Sequence, residues 1–427
     1  MDKTPVTSRP VASLLLLLLA ARATRAAPLL CEDLATHGLT ARTNTTGCPQ
    51  RSRAWRGAAV NIFDSFWVAS SGMPDTCCNA SGGLATRADS VAALRLAAAN
   101  GVRVFRFFAF LWGPHCAFAV QRPATYWAEL DAWWDEVDGL GMYAIPSLGA
   151  SGWHYAARNE TLNDLVKNEH SNSRRFAAGY VRTFVERYSK RKSLLFWELG
   201  NELNLHVDLP APHCDPSQQC FDTQQMVAFQ NALVATIRAA EIDPVSQNPF
   251  GSRPVSSGFA APRPSAWHQA HYPPHDARYW DTDNETQWLE MLEMQHAAAV
   301  DVWSLHMYDN AQGDRNVSLL SAAVTRARAH GKMLFLGEYG GNQPNYTGPS
   351  SASRRFPQLC LDAQVEDAKK GFVGGFALSA VWAFACPSHR KDMVCIWPGQ
   401  PDGAKENGTQ AALAMLTNAN KRLLPLT

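Results

Sequence analysis

Eight apolar, β-rich runs of strand length recur along this chain with helix-patterned stretches between them. That alternation constrains the fold more than any other feature. The runs are Ala58–Phe63, Val102–Phe108, Tyr143–Leu148, Leu194–Leu199, Val255–Phe259, Val300–His306, Met333–Gly337 and Phe376–Trp382. Asp89–Asn100, Tyr126–Leu140, Arg174–Lys190, Thr223–Glu241, Thr286–Ala299, Val317–His330 and Ala363–Lys370 read as the helices between them, with a last one near Gln410–Asn420. Asp89-Ser90 is a good helix opening, and Gly101 and Gly141 close two of the helices. Such alternation asks for parallel strands joined by crossover helices, and eight units close a (β/α)8 TIM barrel of the α/β class. An open doubly wound sheet is the alternative. It would set a glycine-rich phosphate turn after the first strand, where the chain has Asn61-Ile62-Phe63-Asp64-Ser65.

No low-complexity linker or internal repeat interrupts the 427 residues, and 46% hydrophobic content is enough for one large core. The barrel is expected over residues 54–427. Residues 27–53, with Cys31 and Cys48, are expected to form a short disulfide-tied N-terminal extension over one of its ends. The Pro-, His- and aromatic-rich segment Ala260–Asn284 is expected to be a loop wall at the active face.

The first 26 residues read as a signal peptide. Lys3 and Arg9 precede the leucine run Leu14–Leu19, and small residues follow through Ala27. The run is too short to span a bilayer, and the tail Lys421-Arg422-Leu423-Leu424-Pro425 is too short for a lipid-anchor signal. A secreted, extracellular protein without a membrane anchor is the expectation. The 10 cysteines agree with an oxidising space: Cys31 and Cys48, Cys214 and Cys220, and Cys386 and Cys395 lie close in sequence. The pairing of Cys77, Cys78, Cys116 and Cys360 stays open. Sequons at Asn44, Asn79, Asn159, Asn284, Asn316, Asn345 and Asn407 fit a glycoprotein. A net charge of +1 with 18% charged residues gives no field for nucleic acid or anionic lipid. No CxxC pair or histidine cluster has ligand spacing, so no metal and no cofactor are expected. A monomer is expected.

Reactive groups of such barrels sit at the C-terminal ends of the strands. Two runs end in a carboxylate there: Phe196-Trp197-Glu198-Leu199-Gly200-Asn201-Glu202 and Phe335-Leu336-Gly337-Glu338-Tyr339-Gly340-Gly341. A glutamate where a buried strand meets its loop is fixed by the strand, and its apolar surroundings raise its pKa. Two on different strands supply what glycoside hydrolysis needs: a proton for the leaving oxygen and a nucleophile on the opposite ring face. Glu338 is the expected nucleophile, kept ionised by Arg106 and by hydrogen bonds from His306 or Tyr308. Glu202 is the expected acid, and Asn201 is expected to hold the sugar 2-hydroxyl. Glu198, four residues before Glu202, is expected to be a buried partner for an arginine. Trp382 closes the last strand, and Trp112, Trp153, Trp267 and Trp397 are candidate stacking platforms for sugar rings.

Arg106-Phe107-Phe108-Ala109-Phe110, Trp197 to Glu202, His306-Met307-Tyr308, Gly337-Glu338-Tyr339-Gly340 and Trp382 together resemble the retaining glycoside hydrolases of clan A. The likeness is closest to family 5 and, within it, to the endo-β-1,4-mannanases, and it spans Trp55 to Pro387. It implies Glu202 as acid/base and Glu338 as nucleophile, with Arg106, Asn201, His306, Tyr308 and Trp382 lining the cleavage subsite. The chain departs from the family pattern at Leu203, where proline is usual. It also has Ser147-Leu148-Gly149 where many cellulases of the family carry histidine, which favours mannan or glucomannan over cellulose. A β-1,4-glucanase or β-glucosidase is the alternative enzyme, and a catalytically inactive carbohydrate-binding barrel is the non-enzyme alternative.

Overall fold

The computed structural model describes residues 27–43, 47–69, 87–110, 116–149, 153, 159–210, 220–241, 252–309, 313–341, 351–370, 376–383 and 408–423. The eight runs do form a closed barrel. Its strands are β4 (Gly57–Asn61), β5 (Val104–Phe108), β6 (Tyr143–Ser147), β7 (Trp197–Glu198), β8 (Val255–Ser256), β9 (Val302–Asp309), β10 (Met333–Gly341) and β11 (Phe376–Val381). Each pairs in parallel with its successor, and β11 returns to β4. β7 and β8 are shorter than their apolar runs, whereas β9 and β10 run past theirs. The helix Thr223–Glu241 matches its sequence reading, and the other long helices start or stop within a few residues of theirs, except Ser351–Lys369, which begins earlier. The wall Ala260–Asn284 is not a plain loop; it contains the helix Ala266–His271 and a 3-10 turn at Ala277–Trp280.

Alternation along the strands sorts their side chains between two apolar clusters. One set, including Phe105, Phe107, Trp197, Trp303, Leu305, Leu334 and Leu336, packs outward on the helices. The other fills the lower barrel interior with Ala59, Val104, Ile145, Phe196, Val302, Met333, Phe335 and Leu378. The N-terminal extension completes this second cluster. Its strands β1 (Leu29–Asp33), β2 (Leu39–Arg42) and β3 (Ser52–Ala54) form an antiparallel sheet in the order β2-β1-β3. Leu30, Leu39, Ala41 and Trp55 pack against the interior residues and seal the barrel floor.

Polar contacts fix that lid. Buried Glu32 accepts from Arg53 at 2.9 Å and from Arg103, just before β5, at 2.6 Å. The Leu39 N–H donates to the Tyr143 hydroxyl at 2.7 Å. Cys31 and Cys48 are disulfide-bonded, as their spacing implied, and Cys220 is in a disulfide as well. Cys77, Cys78, Cys214, Cys386, Cys395, Trp112, Trp397 and residues 1–26 lie outside the described residues. Among the described residues no helix is long and apolar enough to cross a membrane.

Candidate active site

Two residues further along most of the strands, the barrel interior changes from apolar to polar. Ala59 gives way to Asn61, Val104 to Arg106, Ile145 to Ser147 and Phe196 to Glu198. On β9, Val302 gives way to Ser304 and then to His306. The period of two that built the lower core thus delivers these groups to the mouth.

β10 needs an extra device. Leu334 and Leu336 face the helices, so simple alternation would send Glu338 outward with them. The pairing with β9 shifts instead: Leu336 lies opposite Leu305, and Glu338 lies opposite the next residue, His306. Gly337 is the inserted residue of this bulge, and it turns Glu338 into the barrel. Glycine is required there, because a Cβ would lie 2.7 Å from Ser304 Oγ and 2.9 Å from His306 Nε2.

Glu202 reaches the same point differently. It stands past the end of β7 in the left-handed region, with φ of 53°, and its N–H donates to the Gly258 carbonyl at 2.7 Å. The loop is packed tightly enough that a Cβ on Gly258, itself at φ of 70°, would meet the Gly200 carbonyl at 1.8 Å. A non-glycine residue held at positive φ is a strained position that the surrounding packing must impose.

Arg106 organises the centre and is fully buried. Its Nη1 donates to Glu338 Oε1 at 2.7 Å and to Asn61 Oδ1 at 2.9 Å. Its Nε donates to Glu198 Oε1 at 2.8 Å, and Nη2 donates to Asn201 Oδ1 at 2.6 Å. Glu198 is therefore the arginine partner expected of it. Tyr308 donates its hydroxyl to Glu338 Oε2 at 2.5 Å. His306 Nδ1 lies 3.0 Å from Glu202 Oε1 and 3.5 Å from Glu338 Oε1. Trp382 stacks on Phe63 at 4.9 Å between centroids, and Phe108 lies tilted beside it at 6.2 Å.

Burial pushes both Glu202 and Glu338 above the ordinary glutamate range. At Glu338 the push is opposed by His306, Arg106 and the Tyr308 hydroxyl; at Glu202 only the Arg106 charge opposes it. The exposure differs too, with 23% for the Glu202 side chain and 4% for Glu338. Burial pushes His306 down to about 4, so it is neutral at physiological pH. Burial and the adjacent Glu338 charge keep the Tyr308 phenol protonated.

Glu202, His306 and Glu338 form the one cluster of metal-ligating type found among the described residues, their ligand atoms lying within 4.8 Å of one another. The Arg106 guanidinium already donates to Glu338 at that point. A fixed positive charge disfavours a cation there and favours a pair of carboxylates working on a neutral substrate.

The cellulase model, glycosyl hydrolase family 5, matches residues 67–359 of this sequence. The chain belongs to glycosyl hydrolase family 5. It is a retaining glycoside hydrolase. No curated protein sequence matches it. Its fold is similar to that of the endo-β-1,4-mannanase from Thermotoga petrophila, with 13% identity over 87% of this chain and 78% of that one and a TM-score of 0.56. A family 5 mannosidase from Rhizomucor miehei is 13% identical over 94% of this chain and 98% of that one, with a TM-score of 0.56. XacCel5A in complex with cellopentaose is 13% identical over 86% and 99%, with a TM-score of 0.51.

In this family 5 hydrolase the structure brings Arg106, Asn201, Glu202, His306, Tyr308 and Glu338 into one hydrogen-bonded cluster, with Trp382 on its aromatic floor. Trp153 is a correction. Its ring is 1% exposed, fills the space beside Gly149 and meets Phe229 edge-on, so it offers no face to a sugar. Trp267 is half-buried, with His271 stacked on its ring at 4.0 Å and its N–H donating to Glu290. Asn61 was not singled out by the sequence. Its amide donates to the carbonyls of Gly337 at 2.8 Å and Ala380 at 3.1 Å, which ties β4 to β10 and β11 beneath Glu338. The signal was a polar residue breaking the apolar run of β4.

Proposed function

We propose that this family 5 hydrolase is an exported endo-β-1,4-mannanase in which Glu338 is the nucleophile and Glu202 the acid/base. The observation that carries the retaining-hydrolase reading is the carboxyl pair itself. Its ligand atoms are within 4.8 Å, in one cluster with His306. A separation of about 5 Å suits direct attack on the anomeric carbon, whereas inverting enzymes hold their carboxyls about 6.5–9.5 Å apart to admit a water.

The donors separate the two roles. Glu338 accepts directly from Arg106 and Tyr308, which hold it as an anion ready to attack. Among the described residues Glu202 has no such cation at hydrogen-bond distance, and partial burial raises its pKa, so it carries the proton of the pair. In the first step Glu202 protonates the leaving oxygen while a Glu338 oxygen bonds to C1 and the glycosidic bond breaks. In the second, Glu202 takes a proton from water, whose oxygen bonds to C1 as the Glu338 ester breaks. Asn201, its Oδ1 held by Arg106, binds the 2-hydroxyl, and Trp382 supports the sugar face.

Mannan is supported by the similarity to the Thermotoga mannanase and the Rhizomucor mannosidase and by Ser147-Leu148-Gly149 after β6 in place of histidine. Export is supported by the leader-like first 26 residues and the Cys31–Cys48 disulfide; residues 27–53 then form the mature N-terminal extension and 54–427 the catalytic barrel. A β-1,4-glucanase is the second reading, favoured by the name of the matching family model and the cellopentaose-bound relative.

The test is reducing-end release by the purified protein from mannan, glucomannan, β-glucan and xylan. The mannanase reading expects mannan to be cut fastest, with viscosity falling before monosaccharide accumulates. Faster release from β-glucan replaces it with the glucanase reading. Binding without release on every polymer leaves only a sugar-binding barrel.

A further inference from the structure

Glu198 is a buried carboxylate with a single side-chain partner among the described residues. It is 0% exposed, and both Nε and Nη2 of Arg106 meet its Oε1, at 2.8 and 2.7 Å. Its Oε2 has no hydrogen-bond partner among the described residues. Its neighbours across the sheet, Ser147 on β6 and Ser256 on β8, direct no hydroxyl hydrogen bond to it either. A buried ion pair of this kind is a poor way to gain stability, because a neutral residue of the same size avoids the desolvation. Its charge acts on Arg106, the group that also holds Glu338.

The count of charges gives that arrangement a consequence. One guanidinium serves two carboxylates, Glu198 on its Nε edge and Glu338 at Nη1. The other groups facing Glu338 are Glu202, neutral His306, the Tyr308 phenol and the amide of Asn61 bonded to Arg106. Arg106 alone with Glu338 would hold the nucleophile as a strongly stabilised, weakly basic anion. Shared with Glu198, the same cation orients Glu338 while withholding part of its charge.

We propose that Glu198 is a positioning residue for the nucleophile: it fixes the Nε edge of Arg106, aims Nη1 at Glu338, and divides the guanidinium charge so that Glu338 stays reactive. This rests on Glu338 being the nucleophile. The neutral variant Glu198→Gln keeps an acceptor for Arg106 and removes only the charge. Glu338 should then ionise more readily, and the acid limb of the kcat/KM profile should move to lower pH by about one unit. On the plateau kcat should fall about tenfold while KM changes less than about twofold. Glu198→Asp, which restores the charge, should return the limb to its wild-type position.

The experiment is the pH profile of both variants and of Glu198→Met on one soluble oligosaccharide, with folding checked by thermal melting. A lowered acid limb in the two neutral variants and a restored one in Glu198→Asp supports the proposal. It is overturned by an unmoved limb in a folded neutral variant, or by failure of both neutral variants to fold. Azide rescue of Glu338→Ala, forming the glycosyl azide of opposite anomeric configuration, checks the underlying assignment separately. Rescue with an unmoved limb defeats only the role of Glu198; no rescue defeats the nucleophile.

Discussion

The floor and the mouth of the barrel are made from the same strands, two residues apart, and they are held together in opposite ways. At the floor, Val104, Ile145, Phe196, Val302 and Phe335 meet the lid residues Leu30, Leu39 and Trp55 in an apolar cluster, locked by a disulfide and by Glu32 between two arginines. At the mouth, Arg106, Glu198 and Glu338 put one positive and two carboxylate groups into a fully buried layer, beside a glutamate strained to positive φ. The floor stabilises by burial, which is non-directional. The mouth keeps raised pKa values and unpartnered polar atoms that only a rigid scaffold can hold in place. Stability and reactivity are thus separated along the barrel axis, and mutations at the two ends should fail differently.

The largest expected effect is at the mouth. Glu338→Gln should lower kcat/KM by about 10^4-fold or more, with a melting temperature equal to or above wild type, since a charge is removed from a crowded site. A melting temperature that falls with the activity would break the separation. Glu202→Gln should lose about 10^2- to 10^4-fold on polysaccharide, and far less in the glycosylation step with an activated aryl leaving group that needs no proton. An equal loss on both substrates contradicts its acid role.

Gly337→Ala sharpens the comparison, because it touches the bulge and no charge. Its Cβ would lie 2.7 Å from Ser304 Oγ, so Glu338 should shift and kcat should fall about 10^2-fold, measured against unchanged oligosaccharide binding. The floor gives the converse result. Replacing Cys31 and Cys48 by serine opens a crosslink between residues 17 apart and should lower stability by about 3 kcal/mol. Activity per folded molecule should not change; a drop in kcat would show that the floor reaches the site.

The smallest effect is a pH slope. Burial against Trp303 and Phe259 pushes His296 down to about 4, below its ordinary value of 6.5. Between those values the unfolded chain binds the extra proton, so stability rises with pH over that window and is lost as pH falls through it. His296→Gln should reduce the slope of the melting temperature between about pH 4 and 6.5, leaving the share of His306, which burial also pushes to about 4, and should not move the activity profile.

Much of this was legible in the sequence, for identifiable reasons. Buried parallel strands are continuous apolar runs, so all eight were readable, and polar residues at their ends marked Arg106, Glu202, His306 and Glu338. The lid was readable from Cys31 and Cys48. What stayed hidden depends on register and packing. The bulge at Gly337 is a pairing shift between β9 and β10, and alternation alone would have turned Glu338 toward the helices. Glu202 stands beyond β7, not on the strand face it would share with Glu198. Asn61 matters for the three strands it joins, and Trp153 is buried by neighbours that no local pattern reveals.

The most direct measurement is to trap the reaction half-way. A 2-deoxy-2-fluoro mannosyl fluoride slows both steps, and peptide mass mapping of the inactivated wild-type protein locates the sugar. The expected result is one label per molecule, on the carboxyl of Glu338. A label on Glu202, or steady turnover of mannan with no label on either glutamate, would contradict the division of labour between the two carboxyls.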